Sequence, residues 1–477
     1  MAKQMTEEQR QKEIEKWTRI QNKPKGKGYL LYFTALIALI YIADEVTSQI
    51  GGQMQSVIAS QLFAPIVGDE FAVARMSALS TITIVMSALS FIYKPLSDRY
   101  GRKPFLIINT LGMALGLFVI SVAHSIAMYI IGTAIIAFFI PHDMQAVYIQ
   151  ESVPAEHRGK MYSIIKAIAT LGIFVIPLLR MIYLPGNDYS DWRMVYLVPS
   201  ILILIVVLIA IFLVRESDAF VENKLHILQM SDEEKEEAKK NNQDVESQGG
   251  LIQAFKFAWK HKQMRWILIA TGFIEFGMVI TMYYETILTY GYAQQFVAAG
   301  MAIEAAKKEA NTFVTQALLL FSIGSAIMQL FPGFIADKWG RKTATMSMVI
   351  TLIVSAILFN IGAMKAWNPY FVGLLCGIAS GSCISSIDMV GLMCSESAPT
   401  NLRSSIMAVQ PIVSGAIYAI SMVLAIMLVN ILGDAAIGMT CLCISIPGLV
   451  IGLAILFLKT KETKGVDMGA VHGNEFE

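Results

Sequence analysis

Charged side chains are scarce: Asp, Glu, Lys and Arg make up 15% of the 477 residues, against 55% hydrophobic. A soluble protein of this length needs more charge to cover its surface and less apolar sequence to fill its core. Cysteine is also rare. Cys376, Cys383, Cys394, Cys441 and Cys443 lie in apolar stretches without paired metal-ligand spacing, and read as small packing residues. The six histidines are scattered with no zinc spacing, so no metal site is expected. No Gly-Lys-Ser/Thr phosphate loop is present, which argues against ATP-driven pumping by this chain. No catalytic constellation competes, and neither enzymatic activity nor a cofactor is expected. The basic residues do not form a nucleic-acid surface: the net charge is +1, and they crowd the tail before Leu30 and the short connections.

What the sequence has is long apolar runs. A helix needs about 20 apolar residues to cross a bilayer core. Such runs occur near 29–52, 76–96, 104–123, 126–150, 160–184 and 194–214, and again near 263–290, 311–332, 343–363, 368–394, 402–430 and 437–458. The expected fold is an all-α membrane protein of twelve transmembrane helices in two six-helix bundles. The expected divisions are an N-terminal tail (1–28), a first bundle (29–214), a central loop (215–261), a second bundle (262–459) and a C-terminal tail (460–477). The central loop is strongly charged, as in Ser231-Asp-Glu-Glu-Lys, and reads as a solvated hinge with short amphipathic helices. Lys12, Lys16, Arg19, Lys23, Lys25 and Lys27 precede the first run, whereas the 185–191 loop carries Asp188 and Asp191. By the positive-inside rule both termini are cytoplasmic, in a multi-pass protein of the plasma or inner membrane. The charged tail ahead of a long first run argues against a cleavable signal peptide. A monomer is expected.

Two motifs occur twice, in the same order. Lys94-Pro-Leu-Ser-Asp98-Arg99-Tyr-Gly101-Arg102-Lys103 is echoed by Gly333-Phe-Ile-Ala-Asp337-Lys338-Trp-Gly340-Arg341-Lys342. Glu151-Ser-Val-Pro154-Ala-Glu-His-Arg158 is echoed by Glu396-Ser-Ala-Pro399-Thr-Asn-Leu-Arg403. Parallel six-helix repeats suit a rocking transporter. Glycine at 101 and 340 allows a tight turn. Asp98, Asp337, Glu151 and Glu396 can accept from Arg99, Arg102, Arg158, Arg341 and Arg403, or from a helix N-terminus. The set is expected to gate conformational exchange on the cytoplasmic side; the plainer reading is topology alone.

These loops resemble those of the major facilitator superfamily over nearly the whole chain. Arg215-Glu216-Ser217 and Lys461-Glu462-Thr463-Lys464-Gly465 resemble signatures of its sugar-porter and organic-ion side, although the prolines of both signatures are missing and Lys94 replaces the first motif's Gly. The resemblance implies alternating access. It also places a sugar-binding Gln of the fifth span at Lys166, and the seventh span's Gln-Gln and Asn at Phe273, Ile274 and Val279. Only Tyr283-Tyr284 match. A pocket that hydrogen-bonds several hydroxyls does not tolerate such replacements easily, so hexose is disfavoured.

Ionisable groups within the runs are informative, since one at a helix centre costs about 2.5–3.5 kcal/mol on the insertion scale. Asp44, which matches the resembling family's proton-carrying acid, is the leading coupling candidate, with Glu275 and Asp143 beside it. The partner Arg of the fourth span is absent, where Ile131 and Thr133 stand. His142 or Lys166 can replace it. Lys166, Glu45, His142, Gln145, Tyr283, Tyr284 and Asp388 are the candidate solute contacts. Arg180 and Glu285 sit near enough to span ends to reach the interface by snorkelling. The leading expectation is a proton-coupled symporter of a small organic solute, a carboxylate held by Lys166. The alternatives are a proton-coupled exporter of organic cations or drugs with Asp143, Glu275 and Asp388 as counter-charges, and a transporter-like nutrient sensor.

Overall fold

In lipid every backbone polar group must be satisfied within the protein, so runs of Leu, Ile, Val, Ala and Met fold as helices. The computed structural model describes residues 7–22, 28–79, 101–140, 158–186, 188–229, 251–398 and 403–464, and positions 82, 85, 86, 89, 97, 100, 145 and 148 singly. Among these residues all regular structure is helical. In chain order the helices are α1 (Glu7–Gln21), α2 (Tyr29–Gln53), α3 (Gln55–Val67), α4 (Ala72–Leu79), α5 (Arg102–Ser121) and α6 (Ile126–Phe139). Next come α7 (Arg158–Gly172), α8 (Val175–Tyr183), α9 (Trp192–Leu213), α10 (Asp218–Gln229), α11 (Leu251–Lys260) and α12 (Lys262–Ile274). The last six are α13 (Met278–Ala298), α14 (Ile303–Trp339), α15 (Arg341–Met364), α16 (Pro369–Glu396), α17 (Arg403–Leu432) and α18 (Ile437–Lys459).

Among the described residues ten segments are long and apolar enough to span a bilayer: α2, α5, α7 with α8, α9, α12 with α13, and each of α14 to α18. The bent pair of α3 and α4 adds an eleventh if it is one span, and α6 is a shorter apolar helix; the rest of the runs at 76–96 and 126–150 lies largely outside the described residues. The first span does not stop at a loop. Helix α3 continues it through a π-turn at Ala59–Phe63 and meets α4 at a bend of 101°.

Helices pack closely where side chains are small. The Gly373, Gly377 and Gly381 stripe of α16 lies on the backbone of α14, and a Cβ at Gly381 would stand 2.6 Å from the Ser325 carbonyl. This contact packs α16 and α14 of the second half closely together. It sets α16, and with it Asp388, beside α14 and opposite α7.

Candidate functional site

Two faces can be told apart by connectivity. The terminal face carries the start of α2 and the end of α18; the far face carries the α2–α4 bend, the α8–α9 loop and the α13–α14 turn. Near the far face and at the level of α7 and α16, side chains from the first and second halves of the chain meet.

Near the far face the halves are bolted together. Glu285 of α13 is fully buried and its carboxylate accepts from the Ser56 amide at 2.8 Å, the Ser56 hydroxyl at 2.6 Å and Arg180 Nη1 at 3.1 Å. Arg180 of α8, 1% exposed, also donates to the Gln53 carbonyl and, through Nη2, to Asn311 Oδ1 at 2.8 Å. Asn311 in turn donates to the carbonyls of Leu184 (2.8 Å) and Gly186 (2.9 Å), and Thr286 to Gln55 Oε1 (2.8 Å). A second layer joins Lys307 to Asp69 at 3.2 Å. There the Asp434 carboxylate also accepts from the amides of Val73 (2.8 Å) and Ala74 (3.0 Å), capping α4 from the other half of the chain. Arg180 and Glu285 therefore do not snorkel: they satisfy each other inside the protein. Sequence reasoning missed them as functional because each lies close to a span end, and only the fold brings α8 to α13.

Towards the terminal face, Lys166 Nζ of α7 meets Asp388 Oδ2 of α16 at 2.6 Å, with the Asp388 side chain 44% exposed and that of Lys166 12%. One turn further along, Thr170 donates to Gln329 Oε1 of α14 at 3.2 Å. Lys166 and Asp388, read from the sequence as separate solute contacts, are thus brought together, and Lys166 is not an isolated cation awaiting a carboxylate.

The other candidates are dispersed. Asp44 is buried in α2, Glu45 is half-buried beside it and Gln145 is buried. Glu275 occupies the 3-10 turn Glu275–Gly277 between α12 and α13, facing Ser414 of α17. Tyr283 and Tyr284 are fully buried, and Tyr284 stacks on Phe321 at 4.7 Å and donates to Gln49 Oε1 at 3.5 Å. In this conformation the tyrosine pair is packing within the far-face seal, not the wall of an open site. His142 and Asp143 lie outside the described residues.

The terminal face repeats one device twice. Gly101 and Gly340 have φ of +113° and +103°, a region that costs other residues strain. They open α5 and α15, whose first amides point at a carboxylate from beyond the bundle's last helix. Glu216 accepts from the amides of Arg102 (2.8 Å) and Lys103 (3.0 Å); Glu462 accepts from those of Arg341 (2.7 Å) and Lys342 (3.1 Å). Burial raises the Glu216 carboxyl pKa, and the amides of Ser217, Lys103 and Arg102 act against that rise. In the second copy Glu396 accepts from Arg341 Nε (3.1 Å) and Thr463 Oγ1 (2.6 Å), while Arg341 also reaches the exposed Asp337 at 3.1 Å. Asp98, Arg99 and Glu151, and the side chains of Arg158 and Arg403, lie outside the described residues. The capping role of Glu216 and Glu462 was not read from the sequence; its signal was the recurrence of Glu-Ser and Glu-Thr after the sixth and twelfth spans.

The Major Facilitator Superfamily model matches residues 29–306, and the Sugar (and other) transporter model matches residues 289–458. An arabinose-proton symporter of Bacillus subtilis is 26% identical over 336 residues, which cover 65% of this chain and 68% of that one. A glucose transporter of Staphylococcus epidermidis is 25% identical over 301 residues, 57% of this chain and 61% of its own length. The inward-open structure of a xylose transporter from E. coli superposes with a TM-score of 0.61 at 16% identity, covering 93% of this chain and 99% of that one.

Proposed function

The chain belongs to the major facilitator superfamily, a family of membrane transporters rather than enzymes, and on that premise we propose that it is a proton-coupled symporter of a small polar organic solute other than a hexose. The observation that carries this reading is the bridge between Lys166 and Asp388. It crosses from one half of the chain to the other, it keeps solvent contact, and it lies on the terminal side of a seal that excludes Glu285 and Arg180 from water. A solute entering there replaces or enlists charged hydrogen bonds from both halves. The moving units are the bundles at 29–214 and 262–459, and the terminal face is cytoplasmic, so this conformation is inward-facing.

The named relatives support the coupling ion more than the solute. The Bacillus subtilis relative is an arabinose-proton symporter, and the carboxyl offered for the proton here is Asp44, with Glu275 as the second acid. The sugars of those relatives are not carried over, because Phe273, Ile274 and Val279 supply no hydrogen bonds from their side chains. Binding stabilises a folded protein by mass action, so a thermal-shift panel of anions, cations, zwitterions and polyols on purified protein identifies the solute class. Proteoliposomes then test the coupling. Asp44→Asn should abolish accumulation driven by a pH gradient while sparing exchange at equal pH. Accumulation retained in that variant would move the role to Glu275 or Asp143, and a panel in which only hexoses bind would overturn the solute reading. Tighter binding of a cation in Lys166→Gln would favour the exporter.

A further inference from the structure

Outside the bundles, α11 presents an apolar face that no other described residue covers. Helix α11 precedes the seventh span and is separated from α12 by His261, whose extended backbone (φ −80°, ψ 122°) turns the chain. Ala254 and Ala258 are buried as α11 packs on α17. The other side presents Ile252, Phe255 and Trp259, 72%, 46% and 49% exposed, with the two rings stacked at 6.1 Å. Positions i, i+3 and i+7 form one stripe along a helix, so the three side chains make a continuous apolar strip.

Along α11 and the start of α12 the charge is of one sign. Between 251 and 265 the sequence holds Lys256, Lys260, Lys262 and Arg265 and no Asp or Glu. Trp266 stands beside them with the Arg265 guanidinium 5.8 Å and the Lys459 ammonium 5.9 Å from its ring. An exposed apolar strip edged by lysines and followed by a tryptophan matches the boundary of a bilayer, where apolar groups enter the acyl region and ammonium groups meet phosphates. We propose that α11 with the start of α12 is a docking surface for anionic phospholipid headgroups on the terminal face.

The surface is wired to the gating device. Gln263, three residues past Lys260, donates through Nε2 to the Lys461 carbonyl at 3.0 Å and accepts from the Lys461 amide at 2.9 Å. Lys461 adjoins Glu462, the carboxylate that caps α15. A lipid that draws α11 towards the membrane therefore pulls on the segment that holds Glu462 in place.

The test uses the full chain in nanodiscs and the fluorescence of Trp259, taken as the difference between wild type and W259F. Brominated phosphatidylglycerol and brominated phosphatidylcholine are compared at the same mole fraction. We expect the anionic lipid to quench Trp259 at least about twofold more strongly, a preference set by lysine attraction to an anionic surface. It should vanish in K256Q/K260Q/K262Q, and added salt should weaken it. Equal quenching by both lipids would reduce the surface to bulk lipid contact and overturn the proposal. Absence of quenching by either would mean that protein covers the strip, with the same consequence. Loss of the preference to millimolar inorganic phosphate at constant ionic strength would indicate a free-anion site instead.

Discussion

Glu285 and Arg180 carry opposite charges on helices from different halves of the chain, and neither side chain reaches water. Removing one partner of such a pair leaves a desolvated charge and costs about 3–5 kcal/mol, whereas replacing both with apolar groups is often neutral or better. Glu285→Gln and Arg180→Gln should each lower thermal stability clearly, and Arg180→Met/Glu285→Leu should lower it less than either. Scanning fluorimetry of the three variants checks this; a double variant as unstable as the worse single one would assign the role to packing. The same comparison explains what was legible at this scale. The cost of Lys166, Asp388 and Glu285 could be read from position in an apolar run. Their partners could not, because Lys166 and Asp388 are 222 residues apart and Arg180 and Glu285 are 105 apart.

Helices were readable because a membrane helix needs only an unbroken apolar run, and positions 102–121, 192–213 and 341–364 supply one. Breaks within a run were not. The 101° bend between α3 and α4 and the 3-10 turn at Glu275 depend on what packs across them, in the first case Asp434 donated by the other half. The caps on α5 and α15 lie between these extremes, announced by repetition but without a visible mechanism. Losing a side-chain cap costs about 0.5–2 kcal/mol, so Glu462→Ala should lower stability by that order, and Gly340→Ala should do so through strain at φ +103°. For Glu216 the pH dependence has a definite sign. Burial raises its folded pKa, so the carboxyl contributes most below its ordinary range and that contribution is lost as pH rises through the raised value. The stability difference between wild type and Glu216→Gln, measured by thermal denaturation against pH, should therefore shift against the wild type as pH rises. The Glu396 knot is expected to act on exchange rather than affinity. Glu396→Gln should slow transport with the equilibrium affinity unchanged, and affinity falling in step would place Glu396 in the solute site.

For the whole molecule, alternating access requires that the bonds sealing one face be exchanged for bonds sealing the other. In this conformation the far face holds two layers of them, Glu285 with Ser56 and Arg180, and Asp69 with Lys307. Opening that face must separate Asp69 from Lys307, whose charged atoms stand 3.2 Å apart with both side chains only 15% and 11% exposed. The pair therefore offers a place to hold the molecule shut. With Cys443 first replaced by Ser, because the other four cysteines are buried, Asp69→Cys/Lys307→Cys supplies two thiols across the seal. A short thiol cross-link between them should stop transport in proteoliposomes, and cleaving it should restore transport to the level of the uncross-linked variant. The cross-link should also protect a cysteine placed at the exposed Ser190 no differently from before, since that loop is already outside the seal. Impermeant reagent applied to the outside of cells should label that cysteine, while one at Glu477 stays unlabelled. The reverse pattern would invert the topology. Full transport by the cross-linked protein would mean that solute passes without separating these two groups, and that the far-face seal is not the gate.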